Sequence, residues 1–189
     1  AVLEVRWGIC LGQKREWQEA QSHYRAAVAL DAGNREAHLH WGIALERLER
    51  WPEAIEQLRA AAALDRGDTQ VLFYLGSCYE QASRHLDDSD YFAHAVETFT
   101  RLLAIKSDDA FALNYLGYMY AERGIHLQDA VALLQKAVAL DPENGAFFDS
   151  LGWAYYRQGE LEQAEHFLAK ALERLPEQEK EEQAIIHDH

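Results

Sequence analysis

The sequence predicts an all-α fold, an α-solenoid of stacked helix-turn-helix pairs, and three observations carry that expectation. Glycines recur at Gly8, Gly42, Gly76, Gly117 and Gly152, with spacings of 34, 34, 41 and 35 residues. Ala20, Ala54, Ala95 and Ala130 each lie 22 residues before the next of these glycines, and Ala164 continues the series. Apolar residues follow a helical period, and alternating β-branched runs bounded by two-residue turns are absent. Repetition at such a period marks a repeat architecture. Length varies only between a glycine and the following alanine, so insertions fall in the turn inside a unit and not at the junction between units.

Five units follow in order. Residues 1–34 carry Trp7-Gly8 and Ala20, and residues 35–68 carry Trp41-Gly42 and Ala54. The first unit is expected to expose apolar surface on its outer side. Residues 69–109 carry Leu75-Gly76 and Ala95, with seven extra residues near Arg84–Asp90. Seven residues are about two helical turns, so each helix of that pair can gain one, with Asp87, Ser89 or Asp90 capping the second. Residues 110–144 carry Leu116-Gly117 and Ala130, and Asp141-Pro142 closes their second helix, because proline cannot continue one.

In residues 145–178 the first stripe is Phe148, Leu151, Gly152 and Tyr155, and the second is Leu161, Ala164, Leu168 and Ala171. Gly159 between them supplies a left-handed stop, and Leu175-Pro176 closes the second helix. Residues 179–189 end in Ala184-Ile185-Ile186-His187-Asp188-His189 and are expected to begin a further helix that the chain truncates. The small residues have a steric reason: axes approach to about 8 Å only where no large side chain intervenes. One helical pair buries its apolar face poorly by itself, so stacked pairs share a core.

Charge and composition exclude several functions. The net charge is −14, which repels a polyanion such as DNA or RNA. No apolar run approaches the roughly 18 to 20 residues of a membrane helix, so no bilayer insertion of this segment is expected. The only methionine is Met119, so Ala1 is not an initiator, and the chain reads as a processed product or part of a longer one.

The pattern resembles the tetratricopeptide repeat, a 34-residue helix-turn-helix unit with the signature W-x2-L-G-x2-Y followed by A-x3-F and then A and P. With glycine at repeat position 8, position 7 holds Trp7, Trp41, Leu75, Leu116 and Leu151, and position 11 holds Leu11, Leu45, Tyr79, Tyr120 and Tyr155. Position 27 holds Ala27, Ala61, Leu102, Ala137 and Ala171. The sequence departs at position 4, where His38, Leu72, Leu113 and Phe148 replace tryptophan, and proline at position 32 survives only as Pro142 and Pro176. The resemblance implies a right-handed superhelix and a function in binding other proteins.

Catalysis and metal binding find little support. Cys10 and Cys78 share repeat position 10, so both are expected as core fillers, too far apart for a disulfide. His38 and His40 are two residues apart, about 200° around a helix, and so do not share a face. No H-E-x-x-H, P-loop, G-x-G-x-x-G or G-x-S-x-G motif occurs, so neither an enzyme nor a cofactor or metal is expected. The Arg84–Asp90 segment lacks the central glycine and terminal glutamate of a calcium loop.

In the family this sequence resembles, side chains at positions 2, 5, 9 and 12 of the first helices line a concave face. Here that register gives an expected peptide-binding groove of Phe73, Ser77, Phe111, Asn114, Tyr118, Asp149, Trp153 and Tyr156. Clustered aromatics mark interaction surfaces. The family's clamp for C-terminal carboxylates needs lysine and asparagine at positions 5 and 9, where Val5 and Ile9, Leu39 and Ile43, and Phe73 and Ser77 stand. The expected partner is therefore an apolar protein or peptide segment with a basic residue for Glu80, Glu122 or Asp149. Structural self-association into homo-oligomers is the competing class.

Overall fold

A computed structural model describes residues 1–86 and 89–174, the side chain of Ser89 excepted. Among the described residues there are ten α-helices and no strands. They are α1 (Val2–Gln13), α2 (Trp17–Leu30), α3 (Arg35–Arg47), α4 (Trp51–Leu64), α5 (Thr69–His85), α6 (Ser89–Ile105), α7 (Ala110–Arg123), α8 (Leu127–Leu140), α9 (Gly145–Gln158) and α10 (Leu161–Glu173). The helix expected in residues 179–189 lies outside the described residues, as do Asp87 and Asp88. Helices α5 and α6 have 17 residues each, against 12 to 14 in the others, so the extra length of the third pair is spent on about one more turn in each.

Capping separates the two kinds of helix. The first helices of four pairs start at Asn34, Asp68, Asp109 and Asn144, whose side-chain oxygens accept backbone N–H groups of the first turn at 2.9 to 3.2 Å. The second helices α2, α4, α8 and α10 start at Glu16, Arg50, His126 and Glu160, which make no side-chain cap. They follow tight turns, and Pro52 sits in the first turn of α4 where its missing N–H costs nothing. Gly124 and Gly159 end α7 and α9 at φ +68° and +85°. In the first two pairs the left-handed residues are Arg15 and Glu49, so glycine is not the only solution the turn accepts.

The chain forms two compact units. The first, Ala1–Lys106, holds α1 to α6, each packed on its neighbour in sequence, with α1 also touching α3 and α3 touching α5. The second, Ser107–His189, holds α7 to α10, with α7 also touching α9. Within each unit the first helices of successive pairs therefore lie side by side.

The small positions sit at the crossings. Ala20, Ala27, Ala54, Ala61, Ala95, Ala130 and Ala137 are fully buried. A Cβ added at Gly117 would stand 2.7 Å from Leu134 Cγ and 3.0 Å from the Ala130 carbonyl oxygen, so α7 and α8 meet only because that atom is missing.

One expectation is corrected. Cys78 is buried, and burial pushes its thiol far up, but Cys10 is exposed. Cys78 lies on α5, which α4 covers. Among the described residues no helix covers α1 in this way.

Candidate functional site

In the first unit the predicted groove register is largely turned inward. Phe73 is half-buried, with its ring edge-on to Phe99 at 6.1 Å. Ser77 is buried, and its hydroxyl donates to Glu46 Oε1 at 2.9 Å across α3 and α5. Burial holds the Glu46 carboxyl above its ordinary range, an effect the Ser77 hydrogen bond partly opposes. Glu80 is buried beside Arg84, whose guanidinium reaches its Oε1 at 3.4 Å. The Ser77 hydroxyl and the Glu46 carboxylate join α3 to α5, while Glu80 pairs with Arg84 within α5. The two histidines at issue behave likewise: His38 bonds the Gln57 amide and the Ala32 carbonyl oxygen at 2.9 and 3.1 Å, while His40 stacks on Tyr24 at 5.8 Å.

The second unit presents the same register differently. α7 contributes Phe111, Asn114 and Tyr118, and α9 contributes Asp149, Trp153 and Tyr156, spaced three or four residues apart so that each set shares one helical face. Phe111 and Tyr156 are each more than half exposed. Phe111 leans edge-on against buried Phe147 at 5.4 Å, and Trp153 stacks on Tyr156 at 5.4 Å. Such geometry holds the rings in place while leaving their outer surfaces open.

Trp153 is half-buried and packs against the core cluster that includes Val131, Leu134 and Leu151. It is thus both a core and a surface residue. Its indole Nε1 and the Asn114 Oδ1 are shielded from water and have no hydrogen-bond partner among the described residues. One is a donor and the other an acceptor, each normally satisfied when buried. Asp149 lies in the open part of this face, and desolvation alone raises its carboxyl above the usual range.

Arg157, which the register reading missed, holds part of the site together. Its Nη1 donates to the Glu122 carbonyl oxygen at 2.5 Å, and its guanidinium lies 5.6 Å from the Trp153 ring centroid. It stands one residue beyond position 12, outside the stripe of positions 2, 5, 9 and 12, although an arginine four residues after a tryptophan on a helix is a recognisable stacking pair. Gly124 makes room for it: a Cβ there would fall 2.7 Å from Arg157 Nη2. Among the described residues, no group of three or more His, Cys, Asp or Glu side chains is placed to hold a metal, and no helix is long and apolar enough to cross a membrane.

Comparison with known proteins agrees with the repeat register. Tetratricopeptide repeat family models match residues 6–69, 41–92 and 79–144, and a second model of the same description matches 126–184. The TPR repeat-containing protein PA4667 of Pseudomonas aeruginosa is 47% identical over 51 residues, which are 27% of this chain and 9% of that protein. This chain therefore matches only a small part of that relative. Among solved structures, a crystal structure of MamA superposes with a TM-score of 0.76 at 25% identity, covering 93% of this chain and 96% of that one. YrrB, described as a TPR protein with an unusual peptide-binding site, gives 0.74 at 20% identity, covering 93% and 87%. The helix pairs, their small-residue crossings and these matches agree, and the chain belongs to the tetratricopeptide repeat family.

Proposed function

We propose that the chain is a non-catalytic protein-interaction scaffold that binds an extended peptide segment on the aromatic face of its second unit. The face is built from Phe111, Asn114, Tyr118, Asp149, Trp153 and Tyr156. The observation that carries this reading is the pair of unsatisfied polar atoms, Trp153 Nε1 and Asn114 Oδ1, set among exposed rings. An extended peptide offers both missing partners: a backbone carbonyl for the indole N–H and a backbone N–H for the amide oxygen. Because water does not reach either atom, engagement needs a small rotation of the two side chains, which the open faces of Phe111 and Tyr156 permit.

Apolar side chains of the partner would lie on the rings, and a lysine or arginine would pair with Asp149, whose desolvated carboxylate is stabilised by a cation. Burying two or three rings at roughly 1.5 to 3 kcal/mol each, less the cost of association, gives micromolar affinity, near −8 kcal/mol. Phe73 and Ser77 contribute less in this reading, because their contacts lie within the first unit.

Panning a displayed library of random unstructured peptides on the wild type and on Tyr156→Ala tests it. Apolar sequences carrying lysine or arginine should be enriched on the wild type and lost on the variant, with the melting temperature nearly unchanged. Equal enrichment on both would refute the assignment.

A further inference from the structure

The third pair differs from the others by its added turns, and those turns help to wall a cleft. α6 starts six residues before its crossing alanine, Ala95, whereas α2, α4, α8 and α10 each start three before theirs. The extra turn therefore carries Asp90 and Tyr91 past the point where the other second helices begin. The added turn of α5 is pinned to α4, with His85 stacked on Trp51 at 4.4 Å. Between α4 and α6 lies a cleft of about 370 Å³. Buried Tyr79 of α5 lines it, with Glu56 and Arg59 from α4 and Asp90, Tyr91 and His94 from α6. The Tyr91 and His94 rings stand 6.1 and 5.2 Å from the Tyr79 ring, tilted by 33° and 32°.

The same register in the second unit is closed from within. There Tyr155 is the counterpart of Tyr79, Phe167 lies parallel to it at 5.4 Å, and the Gln135 amide donates to its hydroxyl at 2.8 Å. In the first unit Thr98 stands in the register of Phe167, and its hydroxyl donates back to the His94 carbonyl oxygen. Arg59 stands in the register of Gln135, and the Tyr79 hydroxyl makes no hydrogen bond among the described residues. Burial raises the Tyr79 phenol above its ordinary range, and the nearby Arg59 opposes the rise. The first unit thus lacks the ring that covers this register in the second, and the added turn of α6 supplies a new wall beside it.

We propose that this cleft binds an arginine side chain presented by a partner protein. Tyrosine faces attract a cation, and two carboxylates face one guanidinium in the lining of a chain whose net charge is −14. A planar guanidinium uses both features at once, stacking on the rings and pairing with carboxylates through its fork of N–H groups, which an ammonium does less well. The partner's guanidinium lies against Tyr79 and Tyr91 and pairs with Glu56 and Asp90. Arg59 is left to donate to a carbonyl oxygen of the partner's backbone, as Arg101, Arg157 and Arg174 donate to carbonyl oxygens of this chain. The cleft lies wholly in the first unit and shares no residue with the aromatic face of the second.

The test is a titration of the 189-residue chain with a glycyl-arginyl-glycine peptide blocked at both ends, followed through the His94 ring signals in a proton NMR spectrum. One side chain makes a weak complex, with a dissociation constant on the order of 1 mM. The same peptide with citrulline, which keeps the shape without the charge, should bind at least about tenfold more weakly. Glu56→Gln should weaken the arginine peptide several-fold with an unchanged melting temperature, because Glu56 is exposed. Tyr91→Ala should weaken it as well, and Glu56→Gln decides the matter if that variant loses stability. Tyr156→Ala and Asp149→Asn, both in the second unit, should bind the arginine peptide as the wild type does. Equal binding of the arginine and citrulline peptides, or loss of binding in Asp149→Asn but not in Glu56→Gln, would overturn the proposal. So would a preference for a phosphoserine peptide, which Arg59 and His94 would hold instead.

Discussion

The two units carry the same repeat register and use it for different ends. In the first, groove-register residues are spent on the protein's own joints: Val5 and Leu39 are buried, Ser77 donates to Glu46, and Glu80 lies beside Arg84. In the second, the same positions hold rings that are open on one side, with two polar atoms left unpaired beneath them. The scaffold beneath is alike in both, since each set of crossings is closed by buried alanines and by glycines that stand against Leu58, Phe99, Leu134 or Leu168. A repeat fold therefore fixes where its first helices present side chains but not whether those positions are free. That is decided by whether polar partners and packing rings are supplied from within the unit.

The comparison breaks most visibly at the rings. Phe147→Ala should cost about 3 to 5 kcal/mol, because it empties a buried site, whereas Phe111→Ala, whose ring leans on Phe147 but is half exposed, should cost under about 1 kcal/mol. Similar losses in a urea titration would mean that the face of the second unit is no more open than that of the first. The claim of a shared scaffold predicts that Ala54→Leu and Ala130→Leu, one in each unit and both fully buried, lower stability by a similar amount of about 1 to 3 kcal/mol. Gln128→Leu, two residues from Ala130 but exposed, should change the urea midpoint little.

Glu46 sharpens the account of the first unit through pH. Its carboxyl is raised in the folded state, chiefly by burial, so the folded chain holds the proton more tightly than the unfolded one. Its ionisation then lowers stability as pH rises from the ordinary value of 4.5 through the raised one, and the loss is complete above it. Glu46→Gln keeps an acceptor for Ser77 without the charge. The variant should be more stable than the wild type at neutral pH, and the difference should fade as pH falls toward the ordinary carboxylate value. The smallest effect is at the turns: Glu49→Gly replaces a non-glycine residue at φ +59° with what Gly124 and Gly159 already supply, and should raise stability by about 0.5 kcal/mol in thermal unfolding.

Much of this was legible in the sequence, for reasons that particular residues make plain. Close crossings tolerate only small side chains, so Gly117 with Ala130, and their equivalents, leave a fixed period behind. Gly159 and Asp141 mark helix ends because backbone groups there need special conformations or caps. What was not legible depends on neighbours far along the chain. Cys10 and Cys78 share a register, yet only Cys78 has a second helix laid over it. Ser77 looks like a groove residue until Glu46, 31 positions earlier, claims its hydroxyl. Trp153 has the spacing of a surface stripe, but its ring is wide enough to reach the core cluster as well. Arg15 and Glu49 adopt left-handed conformations that their side chains do not announce.

The central claim, that the aromatic face of the second unit takes up an extended peptide, is tested most directly at the indole nitrogen of Trp153. The chain has five tryptophans, so a proton–nitrogen correlation spectrum shows five indole signals, and Trp153→Phe identifies the one that matters by its loss. Titration with a peptide selected from the random library should move that signal downfield as the N–H gains an acceptor, with Trp7, Trp17, Trp41 and Trp51 in the first unit unmoved. A peptide that binds while the Trp153 signal stays in place, or that shifts the tryptophans of the first unit instead, would contradict the account.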